Sequence, residues 1–343
     1  MTLHVAVVTD RSYLPWCATT VRSCIDRHAP GDVQVHVVHD GSVTTADAER
    51  LHSIAPDAVE VHGVDPARVR HLPAVDRFGH VVWLRFLLGE LLPAGVDRVL
   101  YLDADTLVVD DLTALADRDL RGAPLAAVPN VMLDADEERL RQLTGGRAPA
   151  FLNSGVLLLD LHQWRRDDLA GQIVAAARAH ASEIRWPDQD VLNLVFADRW
   201  HRLPARYNAQ NSYLSWRRRA ERTLGAAEVE EALRQPAVVH FEGPLVCKPW
   251  HLLNHHPWRD DYRATLRRSP WSDTELEGGD RATRLIARLP RSWQLPLYEQ
   301  LVLARRGDGA SLRSLVAGVR RRAADAERPL PTWRRPRRPS TRP

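Results

Sequence analysis

Two carboxylates two residues apart close an apolar run, Arg98-Val-Leu-Tyr-Leu-Asp103-Ala104-Asp105, and a second apolar run, Thr106-Leu-Val-Val, follows them. On an extended chain residues i and i+2 face the same side, so Asp103 and Asp105 can turn their oxygens to one divalent cation. Hard cations such as Mn²⁺ and Mg²⁺ take such donors, and the C-terminal end of a strand in an α/β sheet is where a diphosphate binds. Taken alone, the pattern also describes an acidic strand-to-turn junction. A second constellation lies far downstream: Val238-Val-His240-Phe-Glu-Gly243-Pro-Leu-Val-Cys-Lys248-Pro-Trp250. Imidazole is a ligand for Mn²⁺, glycine lets backbone approach phosphate, and an ammonium neutralises diphosphate charge. Each also has a plain reading: a packed histidine, a Gly-Pro turn, a packed Lys-Pro-Trp. Their conjunction with the aspartate pair is what points to chemistry. Lys248 is the only lysine among 47 basic residues, in a chain whose composition replaces lysine by arginine throughout.

Elements that could position these residues are legible as short β-branched runs alternating with amphipathic stretches, the pattern of an α/β domain with a largely parallel sheet. Strands are expected at Leu3 to Thr9, Val33 to His39, Ala58 to Val64, Arg98 to Leu102 and Ala237 to Phe241. Helices are expected at Trp16 to Arg27 and at Thr45 to Ile54, the latter capped by Thr44 or Thr45. Val81 to Leu92 reads as a buried helix that sets Arg85 against negative charge and stops at Pro93-Ala-Gly95. Phe151 to Leu161 is a buried strand opened by Asn153, Ser154 and Gly155, which suggests close approach of a ligand or of backbone. A helix over His162 to Ala181 should follow, and then a helix opened by Pro187 and Asp188-Gln189-Asp190, with acids where the helix dipole favours them.

With these motifs in view the chain resembles the family 8 glycosyltransferases, a retaining group that includes bacterial lipooligosaccharide α-galactosyltransferases and glycogenin. The resemblance runs from about residue 3 to 260 through VVTDRSYL, WLRFLLGELL, RVLYLDADTLV, FLNSGVLLLDLHQWR, WPDQDVLN and HFEGPLVCKPWH, in the family's order. It implies a GT-A fold, a UDP-glucose or UDP-galactose donor, a carbohydrate or glycolipid acceptor, and Mn²⁺, with Mg²⁺ as the alternative, held by Asp103, Asp105 and His240. By position, Asp10 corresponds to the uracil-binding residue, Tyr13 to the ring stacked on the base, and Arg85 to an arginine near the donor diphosphate. Ala104, between the metal ligands, belongs to the implied donor-binding set, as do Asn153 at the sugar and Gly243 and Lys248 in the phosphate loop. Asp188 and Gln189 correspond to donor-sugar contacts, Gln189 beside the anomeric carbon and Asp188 at the sugar hydroxyls. Two departures stand out: Ser12 replaces an asparagine frequent in bacterial relatives, and four residues separate Gly243 from Lys248 where the family has two, so that loop must bulge.

Composition bounds the remaining classes. With 44% hydrophobic residues the chain can fill a core of one large or two ordinary domains. The stretch from Val81 to Val96 carries Arg85 and Glu90, so it lacks the roughly 20 apolar residues of a spanning helix. Residues 1 to 10 read as a strand and not as a signal peptide, and three cysteines make no disulfide framework; a cytoplasmic protein is the expectation. Residues 281 to 343 carry a net charge of +12 against −9 for the rest. The expected division is a GT-A domain over residues 1–265, a helical basic region over 266–322 and a disordered Arg/Pro-rich tail over 323–343. Within it Leu312, Leu315, Val316 and Val319 form an apolar stripe ahead of Arg320-Arg-Arg322, which suits the inner, anionic membrane face as well as it suits an ordinary docked helix. Competing readings are a sugar-phosphate nucleotidyltransferase and a non-catalytic membrane- or nucleic-acid-binding protein. The first lacks its glycine-rich loop between Thr9 and Trp16; the second leaves the acidic pair, His240 and Lys248 without a purpose.

Overall fold

The computed structural model describes residues 2–73 and 79–305. The chain divides into two compact units: Met1–His240 with Ala264–Ser272, and Phe241–Arg263 with the described residues from Asp273 onward. In the first, the strands are β1 (Leu3–Thr9), β2 (Val33–His39), β3 (Val59–Gly63), β4 (Arg98–Leu102), β5 (Thr106–Val108), β6 (Leu125–Pro129), β7 (Leu152–Asp160), β8 (His201–Arg202), β9 (Ala209–Gln210) and β10 (Val238–His240). They form a seven-stranded sheet in the order β3-β2-β1-β4-β7-β6-β8 and a three-stranded sheet in the order β5-β10-β9. Strands β3, β2, β1 and β4 run parallel, as do β6 and β8, while β7 runs antiparallel to both β4 and β6. The α/β expectation of a mixed, largely parallel sheet holds.

The sheet creates a place for a ligand by its strand order alone. From β1 the chain steps to β2 on one side and later to β4 on the other, and the C-terminal ends of β1 and β4 flank the crevice at that reversal. Asp10 follows β1 and Asp103 follows β4, so both acids open onto it. The small sheet supplies the histidine: β10 pairs antiparallel with β5, His240 opposite Thr106, one residue beyond Asp105.

Hydrophobic burial fixes this frame. Trp83, Leu84, Phe86, Leu87, Tyr101, Leu157, Leu159, Trp164 and Phe196 belong to one cluster of buried side chains between the sheet and its covering helices. The expected helix over Val81 to Leu92 is instead a 3₁₀ stretch, Val81–Leu87, followed by a single α-turn, Leu88–Leu91. The tighter winding keeps nearly every side chain of an almost continuous apolar run against the core, and Leu92 turns extended before Pro93. The expected helix over His162 to Ala181 is two helices, Leu161–Arg166 and Leu169–Ala179. Asp168 breaks the run in a left-handed conformation (φ 46°) and caps the second helix through the Gly171 N–H.

The second unit carries its own aromatic core. The Phe241 ring meets His256 and Tyr262 edge-on at 4.7 and 5.4 Å, and Trp250 packs on Tyr262. Helices Arg281–Ile286 and Arg291–Arg305 belong to this unit: Gln294 bonds to His255 at 2.7 Å and Tyr298 lies against the His251 ring. The amphipathic stripe at Leu312 to Val319 and the tail expected to be disordered lie outside the described residues. Among the described residues no helix is long and apolar enough to cross a membrane, and Cys17 and Cys24 are buried thiols.

Candidate active site

Asp103, Asp105 and His240 each turn a donor atom to a common point, all within 4.8 Å of one another. His240 Nε2 lies 3.3 Å from Asp105 Oδ1 and 3.7 Å from Asp103 Oδ2. Adjacent donors around an octahedral Mn²⁺ or Mg²⁺ stand on the order of 3 Å apart, given metal–oxygen bonds of about 2.1 Å, so the set needs only a slight contraction to hold such an ion. Charge points the same way. Asp103, Asp105 and Asp188 contribute three carboxylates to a largely buried site in which Arg85 pairs with Asp103 and Asp188. Burial raises the Asp103 pKa, with Asp105 adding to the rise and Arg85 opposing it; a divalent cation would supply the missing positive charge.

The tautomer of His240 follows from a backbone donor. The Gly155 N–H donates to Asn153 Oδ1 at 3.0 Å, so that atom is an oxygen and an acceptor. Asn208 must then face it with its amide nitrogen, which it does at 2.8 Å, leaving Asn208 Oδ1 toward His240 Nδ1 at 3.0 Å. Nδ1 therefore carries a proton, which leaves Nε2, turned to the aspartates, as the nitrogen able to ligate, the arrangement that outer-shell partners give to metal-binding histidines. Asn208 is fully buried, and Asn153 is anchored in turn to Asn130.

Gly155 completes the cradle. A Cβ at this position would lie 2.1 Å from His240 Cε1 and 2.9 Å from Asp103 Oδ2. The glycine in the strand does mark a close approach, and what approaches is the histidine side chain. Its own N–H orients Asn153 and its carbonyl accepts from Asp103 N at 2.8 Å, so a single residue holds both halves of the ligand set.

Arg85 reaches the site from the 3₁₀ stretch. Its Nε donates to Val82 O, Nη1 lies 2.6 Å from Asp188 Oδ2, and Nη2 lies 3.2 Å from Asp103 Oδ1, with the guanidinium over the Tyr101 ring. Burial opposes the charge, but Asp188, Tyr101 and the aspartate pair raise the Arg85 pKa above its ordinary value, so the cation is permanent. Tyr101 donates its hydroxyl to Asp103 Oδ1 at 2.5 Å.

Helix Pro187–Phe196 begins with proline at its first turn and sorts its polar residues by direction. Asp188 faces Arg85, whereas fully buried Asp190 accepts from Arg139 and from the backbone of Arg185 and Trp186, tying down the helix start. Gln189 Oε1 accepts from Ser154 N at 3.4 Å. Asn193 clamps the beginning of β7, taking the Leu152 N–H at 2.8 Å and giving a bond to Leu152 O at 3.0 Å. Sequence reasoning singled out Asp188 and Gln189 but passed over Asn193 and also Asn208 and Asn130, the last two of which lack any local pattern. Asn193 does stand at i+4 from Gln189 on the helix, and that spacing was the available signal.

After β1, Asp10 Oδ1 caps a short 3₁₀ turn, Arg11–Tyr13, accepting from Tyr13 N at 3.0 Å and from Ser12 Oγ at 2.6 Å. Ser12 thus braces Asp10. In the second unit Gly243 adopts φ +96°, a conformation that excludes most side chains. The longer spacing before Lys248 is taken up by a 3₁₀ turn, Leu245–Cys247, and buried Lys248 donates from Nζ to Phe241 O at 2.8 Å.

Comparison with known proteins accords with this geometry. The profile of glycosyl transferase family 8 matches residues 4–253. General stress protein A of Bacillus subtilis (strain 168) is 27% identical over 247 residues, 70% of this chain and 84% of that protein. Lipopolysaccharide glucosyltransferase WaaO of Escherichia coli (strain K12) is 25% identical over 281 residues, 80% of each. Among solved structures, the galactosyltransferase LgtC in complex with donor and acceptor sugar analogs superposes with a TM-score of 0.68 at 23% identity, over 78% of this chain and 96% of that one. The crevice between β1 and β4, with the aspartate pair at its edge, is therefore a GT-A fold, and the chain belongs to glycosyl transferase family 8.

Proposed function

We propose that the protein is a metal-dependent, retaining hexosyltransferase that moves glucose or galactose from a UDP-sugar to a glycan or glycolipid hydroxyl. The observation that carries this reading is the convergence of Asp103, Asp105 and a tautomer-fixed His240 at the strand ends, beside the helix bearing Asp188 and Gln189. The glucosyl and galactosyl transfer named for WaaO and LgtC supports hexose as the group moved. Mn²⁺ bound by Asp103, Asp105 and His240 would neutralise the donor diphosphate as it leaves.

This chain's residues then hold the donor and protect its geometry. Asp10 and Tyr13 take the uracil, with Asp10 preset by Ser12. Gly243 and Lys248 are assigned to the phosphates by their sequence motif. Asp188, locked to Arg85, orients the sugar hydroxyls and is a poor nucleophile while paired. Gln189 presents an amide, too weak a nucleophile to form a glycosyl-enzyme. Transfer therefore proceeds on one face: the bond from the anomeric carbon to the diphosphate oxygen breaks, the acceptor oxygen bonds to that carbon, and the departing phosphate oxygen takes the acceptor's proton. Residues 306–343, with 11 arginines against 3 acidic residues, are proposed to attract the enzyme to an anionic membrane surface that presents the acceptor.

Hydrolysis of UDP-glucose and UDP-galactose, each with and without Mn²⁺, tests the central claim. Turnover of one donor should require the ion and disappear in Asp103→Asn and Asp105→Asn with unchanged circular dichroism. Metal-independent turnover, or activity retained in either variant, would reject the assignment. A chain ending at Arg305 should keep donor hydrolysis and lose cosedimentation with anionic vesicles; unchanged vesicle binding would reject the membrane role.

A further inference from the structure

A second convergence of metal-ligand side chains lies in the same sheet, at the β3 edge. Parallel pairing sets His36 beside Glu60 and Val38 beside His62, so that His36, Glu60 and His62, two residues apart on their strands, share one face of the sheet. Their donor atoms form a nearly equilateral triangle. His36 Nδ1 lies 3.2 Å from His62 Nε2 and 3.3 Å from Glu60 Oε2, and His62 Nε2 lies 3.5 Å from Glu60 Oε2. In a tetrahedral zinc site with bonds of about 2.05 Å, neighbouring donors stand about 3.3 Å apart. The triangle is thus one face of such a tetrahedron before any rearrangement. Two N–H groups donating to Glu60 Oε2 would account for two edges and leave the two ring nitrogens facing each other at 3.2 Å with a proton on each, whereas one ion accounts for all three edges.

The atoms behind the triangle support the same conclusion. The distal nitrogen of His36, Nε2, lies 3.0 Å from His4 Nδ1, with ring centroids 5.3 Å apart and planes 19° from parallel, the geometry of an in-plane N–H···N bond. The distal oxygen of Glu60, Oε1, accepts from Gln34 Nε2 at 3.1 Å. Two of the three ligands are therefore held by outer partners that leave the other atom for an ion. His36 is fully buried, while the His62 and Glu60 side chains are 25% and 47% exposed, so an ion could enter from solvent and keep a water at the fourth position.

We propose that His36, Glu60 and His62 form a second, N₂O divalent-cation site of zinc type, separate from the aspartate–histidine site at the strands' C-terminal ends. The ligand His36 pairs with Ala6 of β1, four residues or roughly 13 Å at about 3.3 Å per residue before Asp10 at the crevice. The bound ion would pin β3 to β2 at an exposed edge.

Zinc binding by the full chain, measured by equilibrium dialysis, tests this with wild type, His62→Gln, Glu60→Gln and Asp103→Asn. The half-exposed variants are chosen because they leave the buried His36 in place. Wild type and Asp103→Asn should bind a zinc ion that both His62→Gln and Glu60→Gln bind at least about 100-fold more weakly, since outer-shell losses alone cost 10–100-fold. Co²⁺ added to Asp103→Asn should give the intense visible bands of tetrahedral coordination, absent when His62→Gln is added to that variant. Zinc stoichiometry and affinity unchanged by His62→Gln and Glu60→Gln, or no tetrahedral Co²⁺ spectrum in Asp103→Asn, would overturn the proposal.

Discussion

Replacing Gly155 by alanine adds one methyl group where the structure leaves no room for it. The new Cβ would meet His240 Cε1 at 2.1 Å, His240 Nδ1 at 2.7 Å and Asp103 Oδ2 at 2.9 Å. Ordinary contact begins near 3.4 Å, so the imidazole must retreat by about 1.3 Å, whereas coordination distances tolerate only about 0.2 Å. Retreat is also resisted, because Asn208 holds Nδ1 and the pairing of His240 with Thr106 fixes its backbone. The φ of Gly155 is not in the left-handed region, so the strand itself accepts alanine. We expect the apparent Mn²⁺ affinity to fall by about 100-fold, the upper end of what disturbing a ligand's surroundings costs, with a destabilisation of about 1–3 kcal/mol from overpacking. Mn²⁺ titrations of donor hydrolysis, backed by electron paramagnetic resonance of free Mn²⁺, measure the first; urea unfolding measures the second. In a His240→Ala background the same substitution should cost almost nothing in stability, since the clash has gone. A folded Gly155→Ala protein with wild-type Mn²⁺ affinity would refute the packing argument and with it the assignment of His240 to the ion.

Asn208→Leu should weaken Mn²⁺ binding by about 10–100-fold with little loss of UDP affinity at saturating metal, as expected when a ligand loses its orienting partner; equal metal affinity in the variant would show that the amide relay is dispensable. Asn193→Ala strips both backbone groups of Leu152 of their side-chain partner and should destabilise by about 2–6 kcal/mol, each buried unsatisfied group costing about 1–3 kcal/mol; an unchanged urea midpoint would count against that clamp. His256 is half-buried against the Phe241 ring with Nδ1 accepting the Trp258 N–H, and desolvation pushes its pKa down to about 3. Its folded pKa lies below the unfolded value of about 6.5, so the unfolded chain binds the proton more readily and stability falls as pH drops from about 6.5 toward about 3. His256→Asn should make the decline between those limits shallower, as read from urea midpoints; parallel curves would assign the acid sensitivity elsewhere.

What the sequence revealed was governed by range. The i, i+2 spacing of Asp103 and Asp105 at a strand end is a local signal, as are Pro187 at a helix start and the β-branched runs of β1 and β2, and each appears where expected. Local signals of a second kind were present but misread. The apolar run around Trp83 has no period that separates a 3₁₀ stretch from an α-helix when nearly every side chain is buried. The break after Arg166 was announced by Asp168 and by Gly171, whose Cβ would lie 2.3 Å from the Asp168 carboxylate. Strand β6, Leu-Ala-Ala-Val-Pro, is fully buried yet short and alanine-rich, so nothing in its composition marked it as sheet.

The candidate site divides along the same line. A residue that offers a charge or a lone pair to a ligand must be of a particular type, and types can be read: Asp103, Asp105, His240, Arg85 and Asp188 all come together within the first unit. A residue that orients another needs only to be polar and nearby in space, and its neighbour is set by strand register. Asn208 reaches His240 because β9 pairs with β10 in the small sheet, and Asn153 reaches Asn208 from a strand of the large one. The relay Gly155–Asn153–Asn208–His240 therefore crosses both sheets in four residues, none of whose spacing repeats. That crossing gives the relay a consequence for folding as well as for binding: the metal-binding tautomer of His240 is fixed only when the two sheets have docked. Metal binding should accordingly follow completion of the fold, and a refolding experiment in which Mn²⁺ is captured before the slowest change in tryptophan fluorescence would contradict it.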